Sequence, residues 1–421
     1  MKTKYIILKE GYDWLSVGSE ENEITLSEYR NLCLYLKKNI GNKSIVYDYN
    51  RIKFINYVGI IKVNNLIIEI LPKISLSNDI IKDREILMFM LSKCNKLSVD
   101  IKELLNSNIL KNSLLDILAK VFSKKLLNEL QKGLYREYVS KEEALSMIKG
   151  KILISKSIKE NTINKNKMNC KYDEFTEDNL FNAILKRAIN VILFSIKNDD
   201  AKKELNIINN IFNDVSDIYV PNNIILNYKL NRMNNRFLEC FTLAKLILLN
   251  SSMDKSLGKE NGFSILFEMN YLYEEYVGVL LKEVFNDTNI NINININTQE
   301  KSRYLLWNTL KERNEIALKP DIVIYKDNKP KIIIDTKWKS ATIDGKEVYT
   351  QGDIYQMYAY ITTYEECQQC ILLYPKINEN IKHSEWILND DIRNKKILIY
   401  EINLENYEKT KNELLYLINK Y

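Results

Sequence analysis

The sequence predicts a multidomain α+β protein: a small N-terminal β-rich domain over residues 1–76, a mainly helical middle region over 77–262, and a C-terminal α/β domain with a central mixed sheet over 263–421. Three observations lead there. β-branched and aromatic runs crowd the first segment, apolar residues three and four apart dominate the second, and strand-like and helical runs alternate through the third.

In the first segment, residues 45–55 and 57–63 are β-like runs. Asn64-Asn65 makes a two-residue turn into Leu66-Ile-Ile-Glu-Ile-Leu71, and Pro72 stops that strand. A helix from Leu26 to Asn39 interrupts the sheet. The middle carries helical spacing over residues 114–127 and 180–192, with a short strand at 149–154 behind a glycine turn. The third segment opens on a long helix at 265–285. Residues 289–296 alternate Asn and Ile, giving a strand with one apolar face. A hairpin then joins Asp321-Ile-Val-Ile-Tyr to Lys331-Ile-Ile-Ile-Asp-Thr-Lys337. A helix at 351–363, strands at 370–374 and 396–402, and a closing helix complete the domain.

Composition narrows the chemistry. Hydrophobic residues make up 46% and charged residues 28%, and 61 Lys+Arg against 55 Asp+Glu leave a net charge of +6. That surface is compatible with nucleic acid and with ordinary solvation. No stretch approaches the ~18 apolar residues of a membrane span, and the first apolar run is too short for a signal peptide, which predicts a soluble cytoplasmic protein with free thiols. Cys367 and Cys370 have no second pair to complete a zinc site. His383 is the sole histidine, which excludes or nearly excludes histidine-based metal sites, Ser-His-Asp triads and His-dependent nucleases. No P-loop occurs, since Gly150-Lys151, Gly258-Lys259 and Gly345-Lys346 are followed by Ile152, Glu260 and Glu347. The chain has no nucleotide site of its own, so nucleotide energy would have to come from a partner.

The hairpin concentrates the reactive residues. Asp335 and Lys337 share one strand face while Thr336 points away. A hairpin loop with an odd number of residues, such as 326–330, would set Asp321 opposite Asp335; an even loop would turn it to the wrong face. Two such carboxylates, with the Thr336 carbonyl as a further oxygen ligand, suit Mg²⁺ and also Mn²⁺. The metal would polarise a phosphodiester and activate a water, with Lys337 orienting the nucleophile or stabilising the charge on phosphorus. The triplet alone is unspecific, because Asp100-Ile-Lys102 and Asp344-Gly-Lys346 repeat it without strand context.

The flanking helices add to it. On the preceding helix, Met269, Leu272, Tyr273, Tyr276, Val277 and Leu280 form the apolar stripe. Glu274 sits at its edge beside Gly278, free to reach a cleft, and Glu275 lies further round. On the following helix, Asp353, Gln356, Met357 and Tyr360 share a face, from which Gln356 and Tyr360 could meet a DNA backbone or support the lysine.

Together these residues resemble the PD-(D/E)xK nuclease superfamily, and within it the McrC family, the nuclease subunit of McrBC-type modification-dependent restriction systems. The likeness runs through Leu272-Tyr-Glu274, Lys319-Pro-Asp-Ile-Val323, Ile334-Asp-Thr-Lys-Trp-Lys339, Tyr355-Gln-Met-Tyr-Ala-Tyr360 and Leu372-Leu-Tyr-Pro375. It continues in Ile148-Lys-Gly-Lys-Ile152, Phe175-Thr-Glu-Asp-Asn-Leu180 with Asn182, Val58-Gly59 and Glu69-Ile-Leu-Pro-Lys-Ile74. The resemblance implies metal ligands at Asp321 and Asp335, a catalytic lysine at Lys337 and an accessory acid at Glu274. It also implies a McrB-like AAA+ NTPase hexamer that binds GTP (or ATP) and is stimulated by the N-terminal and helical parts, double-stranded and modified DNA as substrate, and a role in defence against phage. Two other readings remain open: a stand-alone repair or recombination nuclease, and a non-catalytic activator of the AAA+ partner.

Overall fold

The computed structural model describes residues 3–41, 44–73, 79–97, 108–160, 166–196, 198–250, 262–287, 294–343, 346–377, 384–389 and 394–419. His383, Ile74, residues 100–102, 258–260, 289–293 and 344–345 lie outside them. The chain is a multidomain protein of mixed α and β structure, and its contacts divide it into two compact units, Met1–Lys111 with Leu266–Tyr421, and Asn112–Ile265.

In the first unit, the strand Lys4–Lys9 runs parallel to Leu66–Leu71, which pairs antiparallel with Tyr57–Val63 through the turn at Asn64 (φ 54°). Asparagine tolerates that left-handed turn conformation better than other non-glycine residues. The β-like run at 45–55 is a hairpin, not one strand: Ile45–Asp48 pairs with Arg51–Phe54 across a turn at Asn50 (φ 53°). The helix Leu26–Asn39 begins at a capping box in which Glu28 N–H donates to Thr25 Oγ1 (3.3 Å) and Thr25 N–H donates to Glu28 Oε2 (2.8 Å). It buries Leu32, Tyr35 and Leu36 against Ile6, Leu8, Ile61 and Ile68. Within the same unit, Arg84 on the helix Ile80–Lys93 meets buried Glu69 through Nε (2.8 Å) and Nη2 (2.6 Å), a bidentate pair that lets a charge sit inside a strand.

The C-terminal part of that unit is a six-stranded mixed sheet in the order Ile294–Thr298, Ile322–Lys326, Lys329–Thr336, Gln369–Pro375, Lys396–Ile402 and Glu385–Ile387. Lys329–Thr336 pairs antiparallel with Ile322–Lys326 and parallel with Gln369–Pro375. The helix Gln351–Thr363 covers the face carrying Val323, Ile333, Cys370, Leu372 and Ile399, burying Met357, Tyr360 and Ile361. The long helix starts later than its apolar run suggests. Residues 265–268 are strand, and the helix spans Met269–Asp287. Tertiary pairing takes the first residues of a run whose apolar character alone fits either state. A separate hairpin, Tyr304–Asn308 with Arg313–Ala317, precedes Asp321 and was not legible as strands.

The second unit holds the helices Leu114–Leu130, Ile154–Glu160, Leu180–Ser195, Asp199–Ile211, Asn222–Asn227 and Leu238–Leu249. It also holds a β-ribbon, Glu137–Leu145 against Met168–Thr176, with Lys151–Ile152 beside it. Gly150 (φ +67°) is required there: a Cβ would come 2.5 Å from the Lys171 carbonyl oxygen. Asn179 caps the helix Leu180–Ser195 by accepting from Asn182 N–H (3.0 Å). The Asn182 amide donates to the carbonyls of Tyr135 (2.8 Å) and Glu177 (2.7 Å). The Asn179 and Asn182 motif is thus a folding device that satisfies buried main-chain oxygens. Among the described residues, no helix is long and apolar enough to cross a membrane.

Candidate active site

Strand register assembles the site. Ile322 pairs with Ile334 and Val323 with Ile333, so the ladder continued by one residue sets Asp321 opposite Asp335. The turn responsible has two residues, Asp327 (φ 51°) and Asn328 (φ 60°), an even loop where the spacing predicted an odd one. The register shifts between Ile324 and Tyr325, because Ile324 faces Ile332 while Tyr325 faces Pro330. Lys331 is the extra residue of a β-bulge, and the bulge supplies the odd residue that the turn lacks.

Asp321 Oδ2 accepts from both Thr336 N–H and the Thr336 hydroxyl, each at 2.8 Å. Burial raises the Asp321 carboxyl above its ordinary value, an effect these two hydrogen bonds and Lys337 oppose. Asp335 is 2% exposed. Its Oδ1 accepts from Gln356 Nε2 (3.1 Å), and its Oδ2 meets Lys337 Nζ at 2.5 Å. Burial and the Asp321 charge push Asp335 up to about 6, even with Lys337 beside it. Burial works against the Lys337 ammonium, but Asp335, Asp353 and Asp321 outweigh it and raise it.

Gln356 ties the centre together. Its Oε1 accepts from Lys337 Nζ (3.2 Å) while its Nε2 reaches Asp335 and the Tyr360 hydroxyl (2.8 Å). Tyr360 is buried and donates to the Lys319 carbonyl at 2.9 Å. Both side chains therefore lie within the site's scaffold. Asp353, which caps its own helix with Thr350, holds Lys339 (2.7 Å) and stands 3.6 Å from Lys337. Its capping role was readable from Thr350 three residues earlier; its grip on two lysines was not.

Glu274 approaches from the helix Met269–Asp287. All six residues of the expected stripe are buried. Glu274 Oε1 accepts from Gln299 Nε2 at 2.8 Å, and burial and the Asp321 charge raise its carboxyl, so it feels the aspartate pair. It lines a cleft of about 440 Å³ with Tyr271, Gly278, Thr298 and Gln299. A Cβ at Gly278 would come within 3.1 Å of Thr298 Cγ2, narrowing that cleft. Glu275 lines the same cleft and pairs with Lys96 at 2.8 Å. Gln299 had no signal in the sequence.

What converges is a set of hard oxygen donors, among them the carboxylates of buried Asp335 and half-buried Asp321, which repel each other, beside one ammonium. Among the described residues, no three His, Cys, Asp or Glu side chains converge enough to enclose an ion by themselves. A cation would draw on the two aspartates and a main-chain oxygen. Relief of carboxylate repulsion is what a divalent cation offers there. The six cysteines, Cys367 and Cys370 included, are free thiols.

Comparison with known proteins places the chain in a family. The family described as McrBC 5-methylcytosine restriction system component matches residues 52–375, well over half of the chain. The type IV methyl-directed restriction enzyme EcoKMcrBC of Escherichia coli (strain K12) is 23% identical over 299 residues, spanning 67% of this chain and 82% of that protein. A chain of the refined half-complex from the tetradecameric assembly of Thermococcus gammatolerans McrB AAA+ hexamers with bound McrC superposes with a TM-score of 0.70. The identity is 19%, and 98% of this chain and 100% of that one are covered. A chain of the Thermococcus gammatolerans McrBC complex gives 0.51 at 23% identity, over 67% of this chain and 88% of that one. The chain belongs to the family of McrBC 5-methylcytosine restriction system components.

Proposed function

We propose that this protein is the Mg²⁺-dependent DNA endonuclease subunit of a McrBC-like restriction complex, with a PD-(D/E)xK site at Asp321, Asp335 and Lys337. The observation that carries the reading is the cross-strand meeting of two carboxylates, one buried and one half-buried, with a lysine two residues on, held by a Gln-x₃-Tyr helix. Family membership supports it, as does the likeness in fold to chains of complexes in which McrC is bound to McrB hexamers.

Asp321 and Asp335 would hold the metal with the Thr336 carbonyl, and Glu274 would act as the accessory acid. A bound Mg²⁺, or Mn²⁺, supplies positive charge for the phosphate and a water of lowered pKa. Lys337 orients that nucleophile or meets the charge building on phosphorus. Gln356 keeps Lys337 and Asp335 in register, and Tyr360 fixes Gln356. The partner is a McrB-like AAA+ hexamer that binds GTP or ATP. The middle region meets and stimulates it, a role that suits a ribbon carrying Tyr138 and Phe175 exposed, with their rings tilted against each other 5.1 Å apart. The substrate is double-stranded, modified DNA.

The test is cleavage of methylated DNA with Mg²⁺, with and without the AAA+ partner and GTP or ATP, for wild type, Asp335→Ala and Lys337→Ala. The expected result is nucleotide- and partner-dependent cutting that falls at least about 10³-fold in both variants while NTPase stimulation persists. Partner-independent cutting would point to a stand-alone nuclease. Stimulation without any cutting by wild type would leave only the activator.

A further inference from the structure

Lys337, Trp338 and Lys339 are consecutive but face two ways. The two lysines meet Asp353, while the Trp338 indole turns away and packs 5.4 Å from Tyr273 on the helix that carries Glu274. The indole N–H donates to Glu10 Oε2 at 3.2 Å, a residue far away in sequence at the end of the first strand. Glu10 is 1% exposed, and its other oxygen accepts from Asn56 N–H at 2.6 Å. Both of its acceptor oxygens are therefore engaged, one on each side of the gap between the N-terminal sheet and the nuclease sheet.

Asn56 completes the connection. With φ at 63° it turns its own carbonyl to accept from Met269 N–H (2.9 Å) and its Oδ1 to accept from Asn270 N–H (2.8 Å). These are two of the otherwise unpaired N–H groups at the start of Met269–Asp287, so a residue some two hundred positions earlier caps the helix that carries Glu274. Lys73 lies over Gly11 beside Glu10, and Glu10 N–H donates to the Leu71 carbonyl at 2.9 Å, so the clamp is fixed at its own base.

We propose that Glu10 and Asn56 are positioning residues of the nuclease site, through which the N-terminal β segment fixes the end of the Asp335–Lys337 strand and the first turn of the Glu274 helix. The proposal rests on the nuclease reading above. The N-terminal sheet thereby acquires a role inside the reaction: it holds two site elements from behind. A carboxylate is needed at position 10 because two N–H donors converge on it. An amide offers one acceptor and must turn its own N–H₂ toward the other donor.

The experiment compares Glu10→Gln, Trp338→Phe and the double variant in the full chain with its AAA+ partner, Mg²⁺ and GTP. It reads single-turnover DNA cleavage, NTPase stimulation and amide hydrogen exchange over residues 266–275 and 334–340. Glu10→Gln should cut about 10-fold or more slowly, with stimulation near wild type and faster exchange in both segments. Trp338→Phe removes the donor that the amide opposes, so adding it to Glu10→Gln should restore most of that loss. Wild-type cleavage and unchanged exchange in Glu10→Gln, or a double variant worse than either single one, would overturn the proposal. A wild type that does not cut would sink the nuclease reading alone, and faster exchange in Glu10→Gln would still support the clamp.

Discussion

At the scale of single residues, the site is costly to fold. Asp335 holds its proton up to about 6 against an ordinary 3.8, so between those values the folded chain binds more protons than the unfolded one. Stability of the metal-free protein should therefore fall as pH climbs from ~4 to ~6, by at most about 3 kcal/mol, and then level off. Urea unfolding in EDTA across that window should show the decline in wild type and a flatter curve in Asp335→Ala; parallel curves would refute the assignment. The candidate residues themselves were legible because Asp335, Thr336 and Lys337 are neighbours, and Glu274 and Gln356 lie at helical spacing from apolar positions. Gln299, Asp353 as a lysine anchor, and Glu10 were not legible. Each acts on a residue brought close only by register or by packing, which no local spacing encodes.

At the scale of elements, the hairpin shows how far periodicity reaches. Alternation correctly aligned Asp335 with Lys337, and the demand that Asp321 face Asp335 fixed the register needed. It could not tell an odd loop from a two-residue turn with a bulge, since both meet that demand. The bulge leads to a prediction. Deleting Lys331 closes it into a regular ladder with Ile324 still facing Ile332, so Asp321 still opposes Asp335 and cleavage should stay within about tenfold of wild type. Inserting one alanine between Ile333 and Ile334 turns Asp335 to the opposite face and should abolish cutting. Equal activities in the two variants would show that register is not what builds the site. The hairpin Tyr304–Ala317 escaped notice for the opposite reason. Tyr304, Leu306 and Trp307 are exposed, so its apolar residues carry no one-sided pattern.

At the scale of the whole molecule, the described chain presents one such carboxylate pair, and under the proposed nuclease function one site would cut one strand. Double-strand cleavage then requires two chains. In an equimolar mixture of wild type and Asp335→Ala with the AAA+ partner, random pairing leaves about a quarter of the complexes with two competent sites. Linear product from a supercoiled plasmid should fall toward that quarter while nicked circles accumulate. A fall only to half would mean that each chain cuts both strands.

The hydrogen bond between Glu10 and Trp338 joins residues 328 positions apart. A ribosome adding roughly 5–20 residues per second takes on the order of 20–60 s to travel that distance. Throughout that interval Glu10 waits for a donor that has not been made, and no product that stops short of Trp338 can contain the clamp. Under the proposed nuclease function, synthesis as far as Trp338 thus acts as a timer on the appearance of DNA cutting.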